Sequence, residues 1–283
     1  MDEKLQKVLA RAGIGSRREM ERWIKQGRVK VNDQVATLGD RVSAKDNIKV
    51  DNKFINQKRT EVQQQVIAYH KPVGEVCTRD DPEGRTTIFV NLPKLKTGRW
   101  ISIGRLDLNT SGLLLLTTDG ELANKLMHPS SEIEREYAVR ILGEVSPEII
   151  QQLKTNVPLD DGDAHFSDVK ESGGEGANHW YHVILKEGRN REVRRLWEYF
   201  GFAVSRLMRI RYGSITLDRR LRPSKSESLS TSEIAALYQS VDMQYTQSAD
   251  DVKKKDKSRF KLNKTTKQIN RSVYRGKSSR HHR

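Results

Sequence analysis

Strand and helix signals that alternate along the chain, a length sufficient for two domains, and charge segregated by segment together predict a two-domain protein of mixed strands and helices. The predicted order is a small basic domain (1–60), a larger near-neutral domain (61–243) and a basic tail (244–283). Of 283 residues, 52 are Lys or Arg and 37 are Asp or Glu, for a net charge of +15. Residues 1–60 carry +7, 61–249 carry −2 and 250–283 carry +10. A near-neutral body between basic ends predicts that polyanion binding resides in the attachments, because Lys and Arg that neutralise phosphates release condensed counterions. Nucleic acid is the expected partner.

Other classes are excluded early. One cysteine, Cys77, closes no internal disulfide, and the seven histidines are scattered without zinc spacing, so neither a disulfide scaffold nor a structural zinc site is expected. No run approaches the roughly 18 apolar residues of a membrane span. The N-terminus MDEKLQKVLA has helical periodicity and acidic residues where a signal peptide has an apolar core. A cytoplasmic protein with no membrane association is expected.

In the first domain, Leu5, Val8, Leu9 and Ala12 form an i, i+3, i+4, i+7 stripe that predicts a helix broken by Gly13 and Gly15. Ser16 with Glu19 is a capping-box signature for a second helix, with Met20, Trp23 and Ile24 inward and Gly27 as its stop. Arg17, Arg18, Arg22 and Lys25 lie on or beside its polar side. Short strands follow at Val29–Val31, around Val35, and at Ile48–Val50, with Asn32-Asp33 as a turn. This helix, helix, small-sheet unit resembles the RNA-binding module of ribosomal protein S-four. Leu5, Leu9, Ala10, Gly13, Ser16, Arg17, Arg18, Ile24, Gly27, Val29, Val31 and Asn32 fall on its pattern, and Asp33 replaces the usual turn glycine. Ser16, Arg17, Arg18, Arg22 and Lys25 are the expected RNA contacts, since a helix N-terminus presents side chains and backbone N–H groups to a phosphate.

Residues 56–64 are polar and aperiodic, and are read as the linker. Val66 onward begins as a strand and ends at Lys71-Pro72 and Gly74. Trp100–Ile103 is a second strand stopped by Gly104, and Leu113–Leu116 is an apolar run bounded by turn residues, read as a strand buried on both faces. Asp107 then lies in a loop mouth between strands, where a scaffold can present a reactive group. Asp119 is expected to close the strand as a turn residue, and His128 is assigned no role. Over 190–200, Val193, Leu196, Trp197 and Phe200 mark one helix face, while Arg191, Arg194 and Arg195 mark another. The segment from Gln244 has almost no aliphatic residues and is expected to be disordered.

The string from Gly104-Arg-Leu-Asp107 through Thr110-Ser-Gly-Leu-Leu-Leu-Leu-Thr to Asp119-Gly120 resembles the signature of one branch of the RNA pseudouridine synthases, the RsuA family. That branch comprises an A-type enzyme for the small ribosomal particle and B-, E- and F-type enzymes for the large one. Arg135-Glu-Tyr137-Ala-Val139 resembles the family's second motif, with Arg for the commoner Lys. Glu187-Gly-Arg189-Asn-Arg191-Glu-Val-Arg194-Arg195-Leu196 resembles its third, with Arg191-Glu192 in place of the usual His-Gln. Val204 to Arg211, including Leu207 and Arg209, follows as the next strand. The details look most like the B-type members, whose implied partner is 23S ribosomal RNA or a large-subunit assembly intermediate.

The resemblance implies an α+β fold with a largely antiparallel central sheet, a monomer, and uridine isomerisation without a cofactor or metal. It implies that Asp107 is the catalytic carboxylate, acting as nucleophile at carbon 1′ or as base at carbon 2′. Tyr137 would stack on the uracil and Arg194 would pair with Asp107, with Arg195 as the fallback. Arg105 would fill the stack left by a flipped nucleotide or hold a phosphate, Leu207 would pack under the base, and Arg189, Arg191, Arg195 and Arg209 would contact RNA. Three competing readings stay open on the residues alone: a non-catalytic assembly factor with the same charge map, a glycoside hydrolase with paired carboxylates, and an aminoacyl-tRNA synthetase. The last rests on a faint lysine-loop echo at Ser224-Lys225-Ser226 and lacks a nucleotide-binding fold.

Overall fold

The structure, a computed structural model, describes residues 2–55 and 64–246. The predicted tail lies outside these residues from 247 onward, and the predicted linker lies outside them except for Gln64.

The N-terminal domain runs β1 (Glu3–Lys4), α1 (Leu5–Arg11), α2 (Arg17–Lys25), β2 (Val29–Val31), β3 (Gln34–Val35), β4 (Arg41–Val42), β5 (Ile48–Val50) and β6 (Lys53–Phe54). Leu5, Val8 and Leu9 of α1 pack against Met20 and Ile24 of α2 and against Val29, Ile48 and Val50, forming a separate small core. The capping box forms as its spacing predicts: the Glu19 N–H donates to Ser16 Oγ (3.1 Å), and the Ser16 N–H donates to Glu19 Oε2 (3.2 Å). Gly27, at φ +69°, ends α2 with its N–H on Ile24 O and the Arg28 N–H on Trp23 O, the paired bonds of a Schellman stop. The β2–β3 turn holds Asn32 and Asp33 at φ 50° and 67°, a conformation these two residue types tolerate.

The larger domain runs β7 (Val66–Lys71), β8 (Ile101–Ile103), β9 (Ser111–Thr117), α3 (Gly120–Met127), β10 (Arg135–Leu142), α4 (Pro147–Leu153), β11 (Val157–Leu159), β12 (Gly162–Ala164), β13 (Asp168–Glu175), β14 (Asn178–Leu185), α5 (Glu192–Tyr199), β15 (Val204–Tyr212), β16 (Ile215–Thr216), β17 (Ser226–Ser228) and α6 (Thr231–Gln239). Its main sheet has the order β13-β14-β10-β15-β9-β7-β17, with β8 on β9 and β16 on β15. Every strand pairing in it is antiparallel except β9 with β15, so the fold is α+β with a largely antiparallel central sheet.

The leucine run forms a strand: Leu113, Leu114, Leu115 and Leu116 are each 0% exposed, because β9 lies inside the sheet with both faces covered. Trp197 of α5 stacks obliquely on Phe166 (5.9 Å) and Tyr181 (5.2 Å) and meets Phe202 edge-on (6.2 Å), which fixes α5 to the sheet. Asp119 corrects one expectation. It is the N-cap of α3, accepting from the N–H groups of Glu121 and Leu122, and it also receives the Tyr238 hydroxyl at 2.7 Å.

Gly112 makes the parallel junction possible. It sits at φ +106°, and a side-chain carbon there would overlap the Arg209 carbonyl oxygen and lie 2.6 Å from the Arg209 nitrogen. The loop carrying Asp107 therefore enters β9 directly against β15.

Candidate active site

Asp107 lies in the loop between β8 and β9, whose antiparallel register pairs Ile103 with Leu115. The loop is held mainly through its backbone. Lys71, fully buried at the end of β7, donates from Nζ to the carbonyl oxygens of Pro72 (2.9 Å), Asp107 (3.0 Å) and Thr110 (2.9 Å). The Gly74 N–H donates to Leu108 O, the Thr110 N–H closes a turn on Asp107 O, and the Leu106 N–H reaches Cys77 Sγ at 3.4 Å. Burial pushes the Lys71 ammonium below its ordinary value, opposed by the attraction of Cys77, Glu75 and Asp107. The Asp107 carboxylate forms no ion pair among the described residues.

A cleft of about 570 Å³ opens over this loop. Asp107, Arg105, Tyr137, Leu207 and Arg209 all line it, so five predicted residues from three separate stretches of the chain converge. Register explains the convergence: β10 pairs Val139 with Leu207 and Tyr137 with Arg209, which puts Tyr137, Leu207 and Arg209 on one face. Tyr137 is 8% exposed and Leu207 5% exposed, both at the cleft wall. Arg105 is exposed at the rim.

The arginines divide differently from the expectation. Arg194 is buried, and it makes no ion pair with Asp107. Its Nη2 donates to Asn109 O (2.9 Å) and its Nη1 to Val204 O (2.8 Å), tying the Asp107 loop to the start of β15. Burial and the repulsion of Arg191 lower the proton affinity of Arg194, and Asp107 opposes this by attraction. The arginine therefore acts on Asp107 through space and through the loop backbone. Arg195, the fallback, turns away and binds both oxygens of Asp161 (2.7 and 2.9 Å). Arg189 bonds to Glu187 and to the carbonyls of Gly162 and Asp163, bracing the β11–β12 hairpin, while Arg191 is the N-cap of α5 and pairs with Glu198 at 3.2 Å. Both still line the cleft. Arg209 is 2% exposed, with Nε on Leu113 O and Nη2 buried without a partner, so it belongs to the cleft floor rather than to an outer RNA-binding surface.

On the N-terminal domain, Arg17, Arg18, Arg22 and Lys25 are exposed and form no ion pair among the described residues. Ser16 is committed to its capping box, which also takes two of the N–H groups expected to face a phosphate.

Sequence reasoning missed Lys71 and Tyr212 as parts of the site, and it quoted Arg135 and Glu192 as motif positions without giving them a role. Tyr212 stands between Arg135 and Arg209, each 5.2 Å from its ring centre, and donates its hydroxyl to Leu126 O. Glu192 is 3% exposed and lines the cleft. Its Oε2 accepts the Arg189 N–H while Oε1 is buried without a partner, and burial raises its carboxyl above the usual range. Among the described residues no group of three His, Cys, Asp or Glu is placed to hold a metal ion.

Comparison with known proteins agrees with this geometry. Residues 65–199 match the RNA pseudouridylate synthase family and residues 3–48 match the S4 domain. The chain is 53% identical over 278 residues to ribosomal large subunit pseudouridine synthase B of Salmonella typhimurium, covering 97% of this chain and 94% of the relative. The Escherichia coli K12 protein of the same name is 52% identical over the same shares. The Pseudomonas aeruginosa protein of that name is 58% identical over 241 residues, and the match spans 62% of its length. A solved pseudouridylate synthase aligns at a TM-score of 0.59 and 27% identity, over 83% of this chain and 99% of that one. With more than half its residues shared with relatives that it matches almost end to end, the chain belongs to the RNA pseudouridine synthases, an isomerase family, on the branch of the B-type enzymes of large-subunit ribosomal RNA.

Proposed function

We propose that the chain isomerises a uridine of 23S ribosomal RNA, free or in a large-subunit assembly intermediate, and that Asp107 is its catalytic carboxylate. The observation that carries this reading is the unpaired Asp107 carboxylate on a backbone-anchored loop, in a cleft shared with Tyr137 and Leu207. The reaction breaks the N-glycosidic bond, turns the uracil and rejoins it through carbon 5. A carboxylate beside the ribose serves this chemistry as nucleophile at carbon 1′ or as base toward the carbon 2′ proton.

Tyr137 stacks on the uracil while it is detached, and Leu207 packs beneath it. Arg194 is a positioning residue: it holds the loop through Asn109 O and adds a positive field at Asp107. Arg105 at the rim takes the place of the extruded nucleotide or a phosphate, and Arg209 fixes the floor. The exposed cations of α2 supply sequence-independent affinity. The proposed assembly state is a monomer. The proposed compartment is the cytoplasm, and no helix among the described residues is long and apolar enough to cross a membrane.

Nucleotide-resolution pseudouridine mapping of ribosomal RNA, from cells lacking the protein and complemented with wild type or Asp107→Asn, tests the reading. Loss of one large-subunit site, restored by wild type alone, is the expected result. Restoration by Asp107→Asn removes Asp107 from the chemistry, and a wild-type protein that forms no pseudouridine in purified 23S RNA overturns the substrate assignment.

A further inference from the structure

A second cleft, of about 300 Å³, lies where the N-terminal domain meets the body. Lys7, Arg11 and Arg17 line it from one side, and Arg99, Ile101 and Gly120 from the other. The junction is tight: a side-chain carbon on Gly13, itself at φ +83°, would lie 2.8 Å from Gly98 O.

Two of the cations here are uncompensated. The side chains of Arg17 and Arg99 make no hydrogen bond or ion pair among the described residues, and Arg99 Nε is buried without a partner. A side-chain carbon on Gly120 would sit 4.0 Å from Arg17 Nη2, which places that guanidinium at the start of α3. Burial and the like charges of Arg79 and Arg17 lower the proton affinity of Arg99, against a weaker attraction from Glu19. The nearby carboxylates are otherwise engaged: Glu3 is held by Lys7 (3.2 Å) and Arg11 (2.6 Å), Asp119 caps α3 and receives Tyr238, and Glu19 closes the capping box of α2. Glu121 alone is left at the exposed rim. A pair of like charges kept together without a counterion is what an anion would relieve.

Helix α3 connects this cleft to the catalytic one. Gly120 at the start of α3 lines the junction, and Met127 at its end lines the cleft of Asp107. The two ends of this eight-residue helix are about 10 Å apart. A few nucleotides of single strand cover that span.

We propose that Arg17 and Arg99 together hold one backbone phosphate of the RNA at the junction of the two domains, a few nucleotides from the uridine in the Asp107 cleft. The site sets the distance between the segment held by α2 and the reacting nucleotide. This inference rests on RNA being the substrate, and it concerns binding rather than chemistry.

The test is the salt dependence of binding between the full chain and a fluorescently labelled large-subunit ribosomal RNA transcript. The variants are Arg17→Gln, Arg99→Gln, the double substitution and Arg99→Lys. Each single Gln variant is expected to make the slope of log K against log salt shallower by about 1, and Arg99→Lys to keep the wild-type slope. The double variant is expected to lose less than the sum of the two singles, because both arginines serve one phosphate. Arg99→Gln should melt no lower than wild type, since it removes a half-buried cation whose Nε has no partner. A wild-type slope in Arg99→Gln overturns the site, strictly additive losses overturn the shared phosphate, and a lower melting temperature with unchanged slope reassigns Arg99 to structure. Failure of the catalytic reading appears separately, as absence of pseudouridine in the wild-type reaction.

Discussion

Lys71→Met is the most informative single substitution for the claim that the site is anchored through its backbone. Methionine matches the length of the lysine stem, fills the fully buried volume and removes the three bonds to Pro72, Asp107 and Thr110 oxygens. Hydrogen bonds from a charged donor contribute about 1.5–3 kcal/mol each. Three of them exceed the net effect, because the wild-type fold also bears the cost of burying an ammonium with no carboxylate in contact. A net destabilisation of about 3–5 kcal/mol is expected, a large part of the 5–15 kcal/mol typical of a domain. The released loop should also shift Asp107, and a displacement of about 1 Å costs on the order of 100-fold in rate. Urea unfolding gives the first number, and pseudouridine formation at saturating RNA gives the second, measured well below the variant's unfolding midpoint. A variant with the wild-type midpoint and rate would refute the anchoring argument. One that is destabilised yet turns over normally would show that the loop holds Asp107 without Lys71.

Three further outcomes are expected. Gly112→Ala should lose about 1–3 kcal/mol to backbone strain alone, with the overlap on Arg209 in addition, seen as a lower melting temperature and reduced turnover; wild-type melting would mean β9 and β15 can separate. Trp197→Ala should cost about 3–5 kcal/mol in chemical denaturation by emptying the contact with Phe166, Tyr181 and Phe202. Glu192 should give a pH signature: its folded carboxyl stays protonated above the ordinary value of 4.5, so the folded state holds a proton that the unfolded chain has released. Stability contributed by this residue therefore falls as pH rises from 4.5 through the raised value. Glu192→Gln should remove that decline, and parallel melting-temperature profiles for the two proteins between about pH 4.5 and 7 would disprove it.

Much of this was legible because the informative residues obey local rules. Ser16 and Glu19 are three apart and cap α2; four leucines between turn residues become a strand covered on both sides; Asp107, Tyr137 and Leu207 lie on motifs whose resemblance to a known family marked them, and the β10–β15 register brings Tyr137 and Leu207 to one face. The misreadings have a common cause in long cationic side chains. Lys71 ends a strand before Pro72, where a lysine ordinarily points to water, and only the return of the Asp107 loop over it makes it buried. Helical spacing puts Arg194 beside Arg191 and Arg195 on a charged face, but its guanidinium reaches main-chain oxygens at Asn109 and Val204, which no periodicity records. Asp119 read as a turn because the helix behind it begins with glycine.

The three cations that grip the neighbourhood of Asp107, namely Lys71, Arg194 and Arg209, all take hold of peptide oxygens. Peptide oxygens are the same whatever side chain a residue carries, so the grip is indifferent to the identity of Leu108 or Asn109. A change of side chain at either position therefore leaves every one of these bonds available, and the carboxylate between Leu106 and Leu108 keeps its place.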